Sequence, residues 1–260
     1  MADETACPPR TTLIHGDCLE VMPTLPPQSV QMAFADLPYG VTNNAWDKSI
    51  DLPKLWKQLD ALCYASAAKC FTAQQPFTTS LINSNAARFR YDLVWCKNRY
   101  AGIANAKRAP LRAHETVLVF DAQHAYQPQK TFIEKTRTII RCGSDPKANK
   151  NTGIIGKTHT LTNWRYPTSI LRINRDDKRD GSGHPTQKPI ALLEWLIKTY
   201  THPSDTVFDP VAGSGTTAVA ALRTGRHAIC IEKDAAYFDV MRKRVDAERA
   251  ALGLLSADFR

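Results

Sequence analysis

No apolar run in the 260-residue chain approaches the ~20 residues that a membrane-spanning helix needs, so no membrane association is expected. Residues 1–9 contain two acids and no apolar core, which does not fit a signal peptide. Seven cysteines are scattered along the sequence without a C-x-x-C pair, so neither a zinc site nor a disulfide framework is indicated. These absences favour a protein of a reducing cytoplasm that binds no metal.

Acidic residues are scarce in the centre of the sequence. Residues 97–188 hold 18 Lys and Arg against 7 Asp and Glu, whereas the rest of the chain holds 16 against 18. The whole net charge of +9 therefore arises from this one segment. A basic block between two near-neutral blocks indicates a surface for a polyanion, in the first place nucleic acid, although chance lysines in a solvated loop would give the same count.

The outer parts of the sequence alternate strand-like apolar runs with segments of helical period. Strands are predicted at 12–15, 30–35, 69–73, 91–97, 115–120, 206–208 and 227–231, and helices at 18–25, 52–65, 76–87, 192–200, 216–224 and 235–250. This alternation predicts an α/β fold with a mostly parallel sheet and helices on both faces. The length suits a single domain, 1–260.

Residues 121–183 show no regular period and are rich in Lys, Arg, Asn, Thr and Gly. A stretch of this length without secondary structure is unusual inside a compact domain unless it has a function. We therefore predict an inserted target-recognition region at 121–183 that binds DNA. Trp164, Arg165 and Tyr166 are its candidate contact residues, and the alternative is a local hydrophobic anchor for the loop.

An apolar strand ends directly at a carboxylate in the segment 33–40, Ala-Phe-Ala-Asp-Leu-Pro-Tyr-Gly. Its proline and final glycine end the strand in a tight loop. Asp36, the backbone carbonyl of Leu37 and the ring of Tyr39 then lie at the carboxyl end of a buried strand, where open α/β sheets bind ligands. Two acceptors beside a stacking ring suit a nucleobase with an exocyclic amine. Read alone, the segment also fits an ordinary strand-to-turn connection.

A second loop, Phe-Asp-Pro-Val-Ala-Gly-Ser-Gly at 208–215, joins a predicted strand to a predicted helix. Gly213 and Gly215 lack Cβ atoms, so a ligand can approach the backbone, and the helix start offers free N–H groups. Glu232 ends the next strand 17 residues after Gly215, where a carboxylate can accept from two ribose hydroxyls. The third glycine of the dinucleotide fingerprint is missing, since residue 218 is Ala, and no G-x-x-x-x-G-K-[ST] sequence occurs. The pattern favours a mononucleoside-like cofactor, for which S-adenosylmethionine is the obvious candidate.

Together, the Asp-Leu-Pro-Tyr segment at 36–39 and the loop at 208–215 resemble the D-P-P-Y catalytic motif and the F-x-G-x-G cofactor loop of the amino-group DNA methyltransferases. The catalytic motif comes first, a recognition region lies in the middle and the cofactor loop comes last, an order similar to that of the β group of this family. The resemblance covers residues 12–120 and 184–247. It implies a Rossmann-like methyltransferase fold with circularly permuted motif order, with S-adenosylmethionine as cofactor and S-adenosylhomocysteine as its product.

Three shorter segments strengthen the resemblance. Ile-His-Gly-Asp-Cys at 14–18 is similar to a family segment whose acid meets the cofactor adenine, and His-Pro-Thr-Gln-Lys-Pro at 184–189 is similar to one beside the methionine end of the cofactor. Trp-Cys-Lys at 95–97 resembles a strand end that flanks the target pocket. Two positions depart from the pattern: Leu37 replaces a proline whose role is its carbonyl, and Val211 replaces a phenylalanine beside the cofactor.

These correspondences define the expected site residues. The catalytic set is Asp36, Leu37, Pro38 and Tyr39. The cofactor set is Asp17, Cys18, Asp36, His184, Thr186, Gln187, Lys188, Phe208, Asp209, Pro210, Gly213, Ser214, Gly215, Thr216, Glu232 and Lys233. The DNA-binding set, drawn from the basic segment, is Lys97, Arg99, Lys107, Arg108, Trp164, Arg165 and Tyr166.

The resemblance also implies a chemistry. An exocyclic aromatic amine is a poor nucleophile, because its lone pair is delocalised into the ring. Asp36 and the Leu37 carbonyl are expected to accept its N–H groups while Tyr39 stacks on the base, so that the methyl group moves by direct in-line displacement. A base inside a duplex cannot reach this loop, so the target in double-stranded DNA is expected to be flipped out. No Pro-Cys dipeptide occurs, which argues against the cytosine-C5 type of reaction.

The leading interpretation is a site-specific DNA adenine-N6 methyltransferase, because cytosine-N4 enzymes of the family more often carry Ser in place of the motif's Asp. Cytosine-N4 transfer, an RNA substrate and a catalytically silent nucleic-acid-binding protein stay open as alternatives. A nicotinamide-dependent oxidoreductase would require the full glycine fingerprint and no basic block. By resemblance alone we expect a homodimer, a cognate restriction endonuclease, and a cytoplasmic, nucleoid-associated location in a bacterial or phage system.

Overall fold

The computed structural model describes residues 8–38, 50–134, 163–175 and 187–254. Three predicted site residues, Tyr39, His184 and Thr186, lie outside these ranges. The chain divides into two compact units, residues 1–127 with 169–260 and residues 128–168.

Ten strands are present in the described residues. They are β1 Thr11–His15, β2 Val30–Ala35, β3 Cys63–Ala73, β4 Phe89–Ala101, β5 Arg112–Phe120, β6 Thr131–Phe132, β7 Trp164–Arg165, β8 Ile170–Arg172, β9 Thr206–Asp209 and β10 His227–Glu232. Eight of them form one sheet in the order β1-β10-β9-β2-β3-β5-β4-β8. Every adjacent pair is parallel except the two that involve β5. Seven strands therefore end at one edge of the sheet and only β5 begins there.

Helices cover both faces of this sheet, as predicted. They are α1 Cys18–Val21, α2 Leu52–Leu62, α3 Phe77–Ser84, α4 Ile190–Tyr200, α5 Thr216–Arg223 and α6 Ala235–Ala251. Side chains alternate along β2, so Phe34 packs in a core with Val219 and Met241 of α5 and α6. Its neighbour Ala35 packs on the other face, in a core with Leu55 of α2. The α/β fold with a mostly parallel sheet is confirmed.

One predicted helix is shorter than expected. The apolar period suggested a helix over 52–65, but α2 ends at Leu62 and β3 begins at Cys63. Cys63 pairs with Val30 of β2, and both residues are fully buried. Strand pairing in the core overrides the local helical period, which extended only one position beyond Leu62.

Strands β4 and β5 are longer than the sequence indicated. They were expected over 91–97 and 115–120 but extend to Ala101 and from Arg112. A single 3₁₀ turn, Ile103–Asn105, lies in the connection between them. The two strands thus form a hairpin whose loop lies at the edge where β2 ends.

Part of the predicted insertion belongs to the main sheet. Ile170–Arg172 forms β8 and pairs in parallel with β4 through Val94, Trp95 and Cys96. The smaller unit, residues 128–168, contains the antiparallel pair β6 and β7. Within it the rings of Phe132 and Trp164 lie 5.3 Å apart.

No helix in the described ranges is long and apolar enough to cross a membrane.

Candidate active site

Four acids follow neighbouring parallel strands at one edge of the sheet. Asp17 follows β1, Glu232 ends β10, Asp209 ends β9 and Asp36 follows β2. The strand order β1-β10-β9-β2 places these four carboxyl ends side by side. The structure therefore brings the predicted catalytic and cofactor motifs to the same edge of the sheet, where open α/β sheets bind ligands.

Asp17 joins the ends of β1 and β10. Its Oδ1 caps α1 by accepting from the Leu19 N–H at 2.9 Å, and its Oδ2 accepts from Lys233 Nζ at 2.8 Å. The bond from Lys233 is the main reason why the pKa of Asp17 lies below its usual value. Cys18, the next predicted residue, is buried in the core, and burial raises the pKa of its thiol to about 11.

Asp209 binds the glycine-containing loop, residues 208–215, and the start of α5 through hydrogen bonds. Thr217 Oγ1 donates to Oδ2, and the Val211 N–H donates to Oδ1 at 3.0 Å. The side chain is almost fully buried, and this burial raises its pKa to about 7. One carboxylate oxygen therefore binds the loop and the other binds α5, so the structure gives Asp209 the role of holding these two segments in place.

Glu232 holds the same loop from the neighbouring strand. Its Oε2 accepts from the Gly213 N–H and its Oε1 accepts from the Asp234 N–H, each at 2.7 Å. A carboxylate has about four lone-pair positions, so two remain for a ligand. Gly213 itself has φ +53°, a left-handed conformation that favours glycine.

The end of the loop is fixed by residues from outside it. Ser214 Oγ donates to Gln187 Oε1 at 2.9 Å. Arg244 of α6 donates to the Ser214 carbonyl at 2.9 Å and reaches Thr216 Oγ1 at 3.3 Å. Sequence reasoning missed Arg244, because one arginine in a charged surface helix carries no signal.

Three predicted site residues are buried and contribute through packing. The side chain of Phe208 is fully buried in the core, and that of Leu37 is 2% exposed. Pro210 is also buried, whereas Pro38 is partly exposed. The Leu37 side chain therefore anchors the predicted catalytic segment in the core, and the role of its backbone carbonyl stays a prediction.

Asp36 is held by two donors from different elements. Thr72 Oγ1 of β3 donates a short hydrogen bond to Oδ1, and Lys188 Nζ donates to Oδ2 at 2.6 Å. The Asp36 side chain keeps 27% of its surface exposed, so the carboxylate is both fixed and accessible. Lys188 was expected beside the cofactor, and the structure places its ammonium group on the carboxylate of Asp36, the predicted catalytic acid.

Lys188 also contacts a second carboxylate, that of Glu115, which in turn pairs with a second lysine, Lys97. Lys188 Nζ lies 3.3 Å from Glu115 Oε2, and Lys97 Nζ lies 2.7 Å from Glu115 Oε1. Burial alone would lower the pKa of Lys188, but the negative charges of Asp36 and Glu115 outweigh it and raise that pKa above its usual value. Burial alone would raise the pKa of Glu115, yet Lys188 and Lys97 bring it below its usual value.

Lys97 requires a correction to the predicted DNA-binding set. Its side chain is only 3% exposed and its ammonium group pairs with Glu115, so it is not available to a phosphate. This pairing could not be predicted from local sequence patterns, because Glu115 lies on another strand, 18 residues away. Glu115 and Thr72 are functional candidates that the sequence analysis missed for the same reason.

The other predicted DNA contacts belong to two different units of the chain. Arg99, near the end of β4, and Lys107 and Arg108, on the loop of the β4–β5 hairpin, are exposed in a stretch, 98–114, that contains no acid. Because β4 runs parallel to β2, this loop lies at the edge that carries Asp36. In the smaller unit, Trp164 and Tyr166 are exposed and Arg165 is half-buried.

Comparison with known proteins identifies the family. Residues 30–243 match the family model described as DNA methylase, of the N6/N4 methyltransferase type. The chain belongs to the N6/N4 DNA methylase family. The family resemblance inferred from the sequence motifs is thereby confirmed.

Individual relatives of this DNA methylase carry two base specificities in their names. The chain is 27% identical over 249 residues to the DNA adenine methyltransferase YhdJ of Escherichia coli K12, covering 90% of this chain and 82% of that protein. The structure of M1.HpyAVI with SAM has a TM-score of 0.61 at 22% identity and covers 90% and 99% of the two chains. The cytosine-N4-specific PvuII DNA methyltransferase has a TM-score of 0.63 at 16% identity and covers 91% and 86%. These two structures are similar to this chain in fold.

Proposed function

We propose that this DNA methylase transfers a methyl group from S-adenosylmethionine to the exocyclic N6 amine of adenine in double-stranded DNA. The observation that carries the proposal is the fixed, accessible carboxylate of Asp36 at the carboxyl end of β2, beside the cofactor-type loop that follows β9. The adenine assignment is supported by the relative YhdJ, named a DNA adenine methyltransferase, and by Asp rather than Ser at position 36.

The residues of the β1-β10-β9 edge fit a nucleoside-like sulfonium cofactor. The loop at 209–215 presents backbone in left-handed conformations at Gly213 and Gly215. Glu232 has lone pairs for ribose hydroxyls, and Asp17 lies at the next strand end. When bound there, S-adenosylmethionine supplies a methyl group that its positive sulfur already activates.

Asp36 would prepare the nucleophile. Its carboxylate accepts one N–H of the adenine amine, and the Leu37 carbonyl accepts the other, which turns the nitrogen lone pair away from the ring. The carboxylate stabilises the positive charge that would develop on nitrogen as the N–C bond forms, the methyl–sulfur bond breaks and S-adenosylhomocysteine leaves as a neutral thioether. One N–H proton is then released to solvent, which restores a neutral amine. Positioning supplies most of the catalysis in such a step.

The exposed basic residues at the end of the β4–β5 hairpin would contact the DNA backbone. Arg99, Lys107 and Arg108 lie at the same edge as Asp36, so they can hold phosphates near a base that has been flipped into the site. The predicted homodimer and restriction endonuclease partner stay predictions.

Cytosine-N4 transfer is the second candidate function. It needs the same carboxylate geometry, and the similar fold of the cytosine-N4-specific PvuII enzyme favours keeping it. The two candidates differ only in the base that enters the site.

Labelled S-adenosylmethionine and unmethylated bacterial DNA test the proposal, with nucleoside analysis of the product. We expect N6-methyladenine from the unaltered protein and none from Asp36→Ala. Asp239→Ala is the matched control, because Asp239 is an exposed acid on α6, and it should leave the product unchanged. If the product is N4-methylcytosine, the target base is cytosine and not adenine. If the unaltered protein produces no methylated base, the proposal is wrong.

A further inference from the structure

A chain of alternating charges runs across the sheet behind the catalytic carboxylate. It consists of Asp36 after β2, Lys188 before α4, Glu115 on β5 and Lys97 on β4. The successive N–O distances are 2.6, 3.3 and 2.7 Å. Lys188, Glu115 and Lys97 have side chains that are at most 10% exposed, and only Asp36 opens toward the site.

The four charges balance, and this balance makes each one dependent on the others. Two buried ammonium groups face two carboxylates, so removal of any single charge leaves an uncompensated ion in a poorly solvated place. Lys188 is the only described lysine in contact with both carboxylates. The position of its ammonium group is therefore set by two contacts, one with the Asp36 carboxylate and one with the Glu115 carboxylate.

The geometry at Asp36 points to a positioning role. A free aspartate can rotate about two side-chain bonds, but here each oxygen already accepts one bond, from Thr72 and from Lys188. With both oxygens fixed, the remaining lone pairs have set directions. A catalytic carboxylate that must receive a particular N–H benefits from such fixed directions, since a displacement of about 1 Å can slow a reaction about 10²-fold.

We propose that Lys188 positions Asp36 for methyl transfer, and that Glu115 and Lys97 act through Lys188 by holding its ammonium group in place. This inference rests on the proposed function and differs from the cofactor-binding role that the family resemblance implied for Lys188. A positioning residue affects the rate of transfer in the assembled complex, whereas a cofactor ligand affects cofactor affinity. The two roles therefore have opposite signatures.

The deciding measurement compares single-turnover methyl transfer at saturating cofactor and DNA with calorimetric affinity for S-adenosylmethionine. For Lys188→Gln we expect the rate to fall about 10²-fold while the cofactor Kd stays within about 2-fold. Lys188→Arg keeps the positive charge and should recover part of the rate. A cofactor Kd weakened about 10-fold with an unchanged saturated rate would overturn the proposal in favour of cofactor binding.

Two variants separate an effect on the position of Lys188 from an effect on protein stability. They are the single variant Glu115→Gln and the double variant Lys97→Met with Glu115→Gln. The double variant restores charge balance at the far end of the chain, so it should unfold at a higher temperature than Glu115→Gln alone. Positioning predicts that both variants stay slow, because Lys188 has lost its anchor. If the rate recovers together with stability, the network is structural only and the proposal fails.

Asp121→Asn provides a matched control. Asp121 directly follows β5 and pairs with the buried Lys69 of β3, so this change disturbs a buried ion pair at the edge of the sheet opposite to Asp36. At a temperature where the variant is folded, its saturated rate should equal that of the unaltered protein. A loss as large as that of Glu115→Gln would show that any buried charge defect slows the enzyme, which would contradict the proposal.

Crystal structures of the unaltered protein and Glu115→Gln test the positioning without any reaction. We expect Lys188 Nζ to leave hydrogen-bond reach of Asp36 in the variant, and Asp36 to adopt another rotamer. Unchanged Asp36 and Lys188 positions would overturn the inference. If the unaltered protein methylates no nucleic acid while Asp36 still moves in the variant, the proposed function fails and the positioning survives.

Discussion

Gly215 and Met241 are in such close contact that position 215 has no room for a side chain. A Cβ on Gly215 would lie 2.6 Å from Met241 Cγ and 3.4 Å from Met241 Cα, and Met241 is fully buried in α6. Gly215 also has φ +81°, where other residues are strained. The sequence suggested that this glycine lets a ligand approach the backbone. The structure shows that it lets α6 pack against the start of α5.

Gly215→Ala should therefore destabilise the protein more than a glycine-to-alanine change at a left-handed glycine that has space around it. The conformational cost of such a substitution is about 1–2 kcal/mol, and overpacking against Met241 adds about 1–3 kcal/mol. Urea unfolding measures the total. Gly225→Ala is the control, because Gly225 has φ +72° with nothing within 4 Å of the added Cβ. Equal losses for the two variants would rule out the packing role of Gly215.

Asp121→Asn should be among the most destabilising single changes in the larger unit. Lys69 has a fully buried side chain, its Nζ lies 2.8 Å from Asp121, and its next acid, Asp60, is 4.0 Å away. Removing the Asp121 charge leaves a buried ammonium group poorly compensated, which typically costs about 3–5 kcal/mol. Thermal and urea unfolding measure this loss.

The control for Asp121→Asn is an acid of the same type in an exposed ion pair. Asp239 pairs with Arg242 at 3.2 Å, and both side chains are more than half exposed. Asp239→Asn should change the unfolding free energy by less than about 1 kcal/mol. If Asp121→Asn costs no more than this, Lys69 is compensated by some other group and the prediction is wrong.

The sequence predicted the fold and the two motif loops because their signals are local. Apolar period, a proline or glycine after a strand, and an acid at a strand end can each be read within about ten residues. The strand ends that carry Asp36 and Glu232 follow from the alternation of strands and helices alone. The location of both strand ends at one edge of the sheet could therefore be predicted without information on contacts between distant residues.

The charged network behind Asp36 could not be predicted, because each of its contacts joins residues that are far apart in the chain. Lys188 meets Asp36 across 152 positions, and Thr72 meets it across 36. Lys97 looked like a phosphate contact because it stands in a basic segment, and only the pairing of β4 with β5 brings it to Glu115. Composition reports the charge of a segment but not which of its side chains are buried.

Removing the exposed basic residues at the end of the β4–β5 hairpin should reduce the salt dependence of DNA binding. Each phosphate contact contributes about 0.9 to the slope of log K against log salt concentration. Arg99→Ala, Lys107→Ala and Arg108→Ala should each lower the slope by about that amount, measured by fluorescence anisotropy on duplex DNA over a salt series.

Arg242→Ala is the matched control for the loop variants, because Arg242 is an exposed arginine on α6. We expect its slope to equal that of the unaltered protein. Slopes unchanged in all three loop variants would move the DNA surface away from the β4–β5 hairpin.

Asp209 should make the protein less stable as the pH rises from about 4 to about 7. Burial raises the pKa of Asp209 from 3.8 to about 7, so in this window the folded protein keeps a proton that the unfolded chain releases. The folded state then binds more protons, and the unfolding free energy falls with pH by up to about 1.4 kcal/mol per unit.

Asp209→Asn removes this titration, so the difference in unfolding free energy between the unaltered protein and the variant should slope downward between pH 4 and pH 7. Asparagine offers one oxygen to the Thr217 hydroxyl and the Val211 N–H, which adds a loss that does not depend on pH. The slope of the difference, rather than its size, therefore reports the carboxyl group. It also cancels the contributions of other groups, such as His227, whose pKa burial lowers. Urea unfolding at half-unit pH intervals measures it. A difference that is flat across the window would mean that Asp209 is ionised in the folded protein throughout, held by its two donors despite its burial.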